Sequence, residues 1–139
     1  TEAEWEKAAR GTEKYSFPWG NEAPGCEKSN AMQPGSLAYC EGDTQRVGTY
    51  PQGASDYGVM DMAGNVWEWT ASRYLPDYRP TAEEPALTGG VSDLYRVVRG
   101  GSWGSAPVKL VVSARAFDPD FHNSDNLGFR CAMDGSANP

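Results

Sequence analysis

Turn-forming residues set the ceiling on what this chain can fold into. With 16 Gly and 10 Pro along 139 residues, long helices and strands are interrupted before they can extend. The expected product is a loop-rich domain with short strands, whose five Trp supply the large apolar contacts that regular elements would otherwise make. The length allows a single domain with one modest core. A formal charge of −7 disfavours nucleic acid and anionic membrane as partners, because both require clustered Lys and Arg. No apolar run reaches the length needed to cross a bilayer, so no membrane insertion is expected.

Local patterns divide the chain further. Thr1 to Arg10 predicts a helix: Thr1 and Glu4 form a capping box, Trp5, Ala8 and Ala9 share a face, and Gly11 suits the residue past the end. Gly11 to Gly53 is turn chemistry with interspersed aromatics, read as ordered loop. Gly58 to Thr70 (GVMDMAGNVWEWT) predicts a tight turn feeding a strand, and Arg73 to Ser92 a polar surface excursion. Strands are expected at Tyr95–Arg99, Leu110–Arg115 and Gly128–Met133, with a frayed end at Asp134–Pro139.

Cys26, Cys40 and Cys131 show no zinc-type spacing. Cys26 and Cys40 flank a loop. Either they pair, which favours an oxidising, cell-surface or extracellular setting, or all three are free thiols. His122 is the only histidine, so this chain alone cannot build a multi-histidine metal centre. Asp61 and Glu68 place two carboxylates around a Gly64-Asn65 turn, where a backbone turned by Gly can aim carbonyls inward. Hard oxygen ligands of this kind suit calcium; a salt-bridged or solvated turn is the alternative.

Five segments occur in a telling order: TEAEWEKAARG (1–11), FPWGN (17–21), YGVMDMAGNVWEWT (57–70), RVVRGGSW (96–103) and NLGFRCA (126–132). Together they closely resemble the formylglycine-generating-enzyme (sulfatase-modifying-factor) family. The resemblance implies an α+β, C-type-lectin-like fold over residues 1–139, lacking the N-terminal part that family members carry before the TEAEW segment. It also implies structural calcium. One site would use Asp61, Glu68 and the carbonyls of Gly64 and Val66. A second would use Asn30, the carbonyl of Ala31 and a downstream aspartate, for which Asp43 stands in a shortened stretch.

The departure from the enzymes lies after Trp103. They carry two cysteines there that bind copper, whereas this chain reads Gly104-Ser105-Ala106-Pro107-Val108-Lys109-Leu110. Ser105 cannot replace a thiolate toward a soft metal. Cys131 matches a structural cysteine whose partner aligns with Ala9, which implies a buried free thiol. The related sulfoxide synthases need three histidines around iron, which His122 cannot supply. Neither copper nor iron is therefore expected, and a non-catalytic role is favoured. The alternative is an oxidase of this family completed by segments outside the chain.

The stretch between RGGSW and GFR also resembles the variable proteins of diversity-generating retroelements, which hold a randomised ligand-binding face on a lectin-like fold. The corresponding positions are Gly104, Ser105, Ala106, Val108, Val111, Ala114, Ala116, Phe117, Phe121, His122 and Ser124. All carry residues reachable by asparagine-codon diversification; Lys109 does not. The expected partner is a protein or other ligand held by residues 104–124. The competing expectation is that Phe117 and Phe121 fold back into the core.

Overall fold

A computed structural model describes residues 1–76 and 89–133. Helix α1 spans Glu2–Arg10 and is capped as its sequence predicts. The Glu4 backbone N–H donates to Thr1 Oγ1 at 3.3 Å, and the Thr1 amine donates to Glu4 Oε2 at 2.7 Å. Gly11, at φ 68°, ends the helix and returns its N–H to the Lys7 carbonyl. Trp5 and Ala9 pack the inner face against Met62 and Val112.

Among the described residues the strands form a four-stranded sheet in the order β3-β2-β1-β4. These are β1 (Trp67–Arg73), β2 (Tyr95–Arg99), β3 (Ala116–Pro119) and β4 (Leu127–Gly128). β1 pairs antiparallel with β2 and parallel with β4, and β2 pairs antiparallel with β3. Pro119 and the shortness of β3 blunt that edge of the sheet. The strand expected at Tyr95–Arg99 is present, as is the turn feeding a strand at Gly58–Thr70.

Two strand expectations are corrected. Leu110–Arg115 is not a strand: Leu110 closes a 3-10 turn at Pro107–Lys109. The carbonyls of Val112, Ser113 and Ala114 bond the Arg99 side chain instead of a neighbouring strand. In the Gly128–Met133 stretch only Gly128 joins the sheet, because Arg130 turns toward Glu68. Residues 77–88 of the expected surface excursion, and the expected frayed end at 134–139, lie outside the described residues.

A second apolar cluster joins Ala31, Ala63 and Leu110, with Phe17 and Trp19 packed on it as a stacked pair 5.3 Å apart. The Gly11–Gly53 segment is ordered loop, as expected, and the disulfide Cys26–Cys40 closes its middle. That resolves the open alternative in favour of pairing. Cys131 is free as expected, but it is exposed and not buried.

Candidate functional site

The candidate ligand face is held from beneath by one buried cation. Arg99 is fully buried, with its guanidinium 5.3 Å from the Trp5 ring. It donates to the carbonyls of Ala114 at 2.7 Å, Val112 at 2.9 Å and Ser113 at 3.2 Å, and to Glu6 Oε2 of α1. Glu2, also buried, lies 3.5 Å from Arg99 and accepts from Arg115 Nε at 2.6 Å. One charged network thus ties the 112–115 backbone to α1. A planar guanidinium suits this role because its N–H groups diverge in fixed directions.

Above this base the predicted face separates by exposure. Val108, Phe117 and Phe121 are 69%, 47% and 74% exposed, so the phenylalanines do not fold back into the core. Ala106, His122 and Ser124 are exposed, while Gly104, Val111, Ala114 and Ala116 are half-buried. Ser105 is buried: its Oγ accepts the Ser102 N–H at 2.9 Å and lies 3.2 Å from Ser102 Oγ. It supports the RGGSW turn and does not present itself to a ligand. Gly101, at φ 75°, makes that turn possible, since a Cβ there would meet Leu110 and Ser105.

Neighbours outside the predicted set build part of this surface. Phe117 packs against Tyr74 at 4.1 Å and edge-on to Tyr95 at 5.4 Å, with Arg115 over the Tyr74 ring. Leu94 is 46% exposed, and its carbonyl accepts the Asp120 N–H at 2.8 Å. His122 Nδ1 lies 2.8 Å from Asp118 Oδ1. Elsewhere, Tyr39 of the disulfide loop packs edge-on to Trp103 at 5.7 Å. Only the pairing of β3 with β2 unites Tyr95 and Phe117, and local sequence carries no signal for that register.

The two candidate cation sites differ. At the first, Asp61 Oδ2 accepts the Gly48 N–H at 2.7 Å, and Gly64 adopts φ 83° within the turn. Glu68 carries Arg130 on both carboxylate oxygens, at 2.5 and 2.7 Å, and Trp5 Nε1 at 2.6 Å. Burial alone would push the Arg130 guanidinium down. The hydrogen bonds and charge of Glu68, with Asp61 adding, carry it above its ordinary value. In this arrangement the set Asp61, Gly64, Val66 and Glu68 does not fit a calcium ion at Glu68, because Arg130 and Trp5 engage both oxygens of that carboxylate; Asp61 gives only Oδ2 to a protein donor among the described residues.

The second site keeps an open acceptor. Asn30 is fully buried, and its Oδ1 has no hydrogen-bond partner among the described residues. Its Nδ2 donates to the Asp43 carbonyl at 2.8 Å and to Asn65 Oδ1 at 3.3 Å, so turning the amide over would lose both bonds. A buried acceptor left unpaired costs about 1–3 kcal/mol, a penalty that a bound cation would remove. Asp43 Oδ1 accepts the Thr44 N–H at 2.6 Å and the Thr44 hydroxyl at 3.4 Å, which leaves Oδ2 to an ion, and the Ala31 carbonyl, which accepts the Cys40 N–H at 2.9 Å, retains a second lone pair.

Comparison with known proteins places the domain. Residues 1–135 match the family model described as a sulfatase-modifying factor enzyme 1-like domain. The chain belongs to that family. Hercynine oxygenase of Mycolicibacterium smegmatis is 40% identical over 147 residues, covering 96% of this chain and 32% of that protein. The inactive C-alpha-formylglycine-generating enzyme 2 of Bos taurus is 38% identical over 154 residues, covering 100% of this chain and 44% of its own length. This sulfatase-modifying-factor domain therefore spans less than half of either relative.

Among solved structures, PvdO from Pseudomonas aeruginosa superposes with a TM-score of 0.71 at 28% identity, covering 93% of this chain and 49% of that one. Treponema denticola variable protein 1 gives 0.68 at 28% identity, covering 93% and 44%. The fold is the α+β, C-type-lectin-like fold of the formylglycine-generating enzymes.

Proposed function

We propose that this sulfatase-modifying-factor domain is a non-catalytic ligand-binding module on a calcium-braced scaffold. The observation that carries the reading is the exposure of Val108, Phe117 and Phe121, which flank in sequence the 112–114 backbone pinned by buried Arg99. Exposed apolar groups on a rigid base supply binding energy without an ordering penalty. Ser105 and Leu110, both against Gly101, occupy a stretch where the enzymes of the family carry cysteines, and neither can ligate copper. The likeness to a variable protein supports a face diversified at Gly104, Ala106, Val108, Val111, Ala114, Ala116, Phe117, Phe121, His122 and Ser124, with Ser105 as framework.

Calcium would be held by Asn30, Ala31 and Asp43, closing the loop around the Cys26–Cys40 bridge. That bridge supports a cell-surface or extracellular setting. A negative net charge supports a protein or small-molecule ligand in preference to nucleic acid.

Random-peptide selection against the wild-type domain tests the reading. Selected peptides should lose about 100-fold in affinity, roughly 2.7 kcal/mol, when Phe117→Ala and Phe121→Ala are combined. Peptides indifferent to that pair would sink it. Identity to hercynine oxygenase supports a second reading, an oxidase whose metal ligands come from outside this chain. It predicts that iron(II) or copper(I) binds once the remaining segments are supplied.

A further inference from the structure

We infer that the buried Glu68 carboxylate is neutralised by the guanidinium of Arg130 and not by a calcium ion, so that Glu68 is not a calcium ligand. Glu68 is 5% exposed, and a buried carboxylate requires a compensating positive charge. Arg130 supplies it as a fork, Nη2 to Oε1 at 2.5 Å and Nε to Oε2 at 2.7 Å. The indole of Trp5 takes a further lone pair of Oε2 at 2.6 Å.

The same Nη2 reaches the carbonyls of Met60 at 3.1 Å and Asp61 at 3.2 Å, which belong to the turn that an ion would organise. The remaining acid of that turn, Asp61, gives its Oδ2 to the Gly48 N–H. Calcium asks for six to eight oxygens at 2.3–2.6 Å, and here Glu68 already faces three protein N–H donors. A divalent ion placed among them would also sit close to a guanidinium of like charge.

The brace is therefore part of the chain and needs no ion. It ties the residues following β4 to β1 and to the 57–66 turn, and it persists in chelator. Asn30 differs, because its Oδ1 finds no donor among the described residues. The assignment at Glu68 stands whether or not the Asn30 site takes calcium.

The test is calorimetric titration of chelator-stripped wild type and Glu68→Gln with calcium. The variant should lose thermal stability yet bind the same number of ions, with Kd changed by no more than about twofold. Loss of an ion, or a Kd raised about tenfold or more, overturns the assignment. A wild type that binds no calcium upholds it and defeats the Asn30 brace instead. Should Glu68→Gln fail to fold, the 13Cδ resonance of Glu68 in the wild type decides. If it is unmoved by saturating calcium the assignment holds, and if it shifts the assignment falls.

Discussion

Replacing Arg99 by methionine removes the buried cation while keeping most of its volume. The carbonyls of Val112, Ser113 and Ala114 would lose their charged donor, and Glu6 would lose one partner. Neither acid becomes isolated, because Glu6 retains Arg10 at 2.8 Å and Glu2 retains Arg115 at 2.6 Å. The expected loss is therefore that of three carbonyls left without their donor, about 3–5 kcal/mol at the lower end of roughly 1–3 kcal/mol for each. Against a total stability of about 5–15 kcal/mol this is a large fraction. It should lower Tm by roughly 10–15 °C. Urea unfolding followed by Trp fluorescence measures it. Arg99→Lys keeps the charge but cannot reach three carbonyls and Glu6 at once, so it should lose about half as much. A methionine variant within about 1 kcal/mol of wild type would refute the claim that this residue pins the face.

Three other perturbations follow from named contacts. The Cys26–Cys40 bridge has a sequence separation of 14, so the Cys26→Ser, Cys40→Ser pair should lose about 3 kcal/mol in urea unfolding. Gly64→Ala should lose at least about 2 kcal/mol and disturb Asn30, because its φ is 83° and the new methyl would meet the Asn30 carbonyl. The Tyr50 hydroxyl is buried without a partner among the described residues, so Tyr50→Phe should leave stability at pH 7 unchanged or improved by up to about 1 kcal/mol. Burial, with the charges of Glu41 and Asp61, raises the Tyr50 pKa above its ordinary value. The wild type should thus be fully stable below pH 10 and lose stability as pH rises beyond it; Tyr50→Phe should flatten that loss in a Tm-versus-pH series.

Much of the architecture was legible because its signals are local. The capping box of α1 depends on Thr1 and Glu4, three residues apart, and Gly64 announces a turn wherever it stands. The Leu110–Arg115 stretch misled because its apolar residues resemble a strand while its carbonyls are claimed by Arg99, at least 13 residues away. Nothing local distinguishes a carbonyl bonded to a neighbouring strand from one bonded to a distant guanidinium. The same limit hid the Glu68–Arg130 pair, whose members are 62 residues apart. Of the ligand face, the exposed positions Phe117 and Phe121 were legible as candidates. The inward turn of Ser105 was not, since it depends on how Gly101 folds the following residues over Ser102. Cys131 was read as buried through family likeness, but only two residues separate it from Gly128 at the end of a two-residue strand, and it is exposed.

As proposed, this domain binds a ligand and does not itself hold a redox metal. Elemental analysis after loading the purified chain with calcium, copper(I) and iron(II), then desalting, tests it most directly. About one calcium per chain is expected, from the Asn30 site, with copper and iron below about a tenth of stoichiometry. Copper or iron retained at near one per chain would contradict it and restore the oxidase.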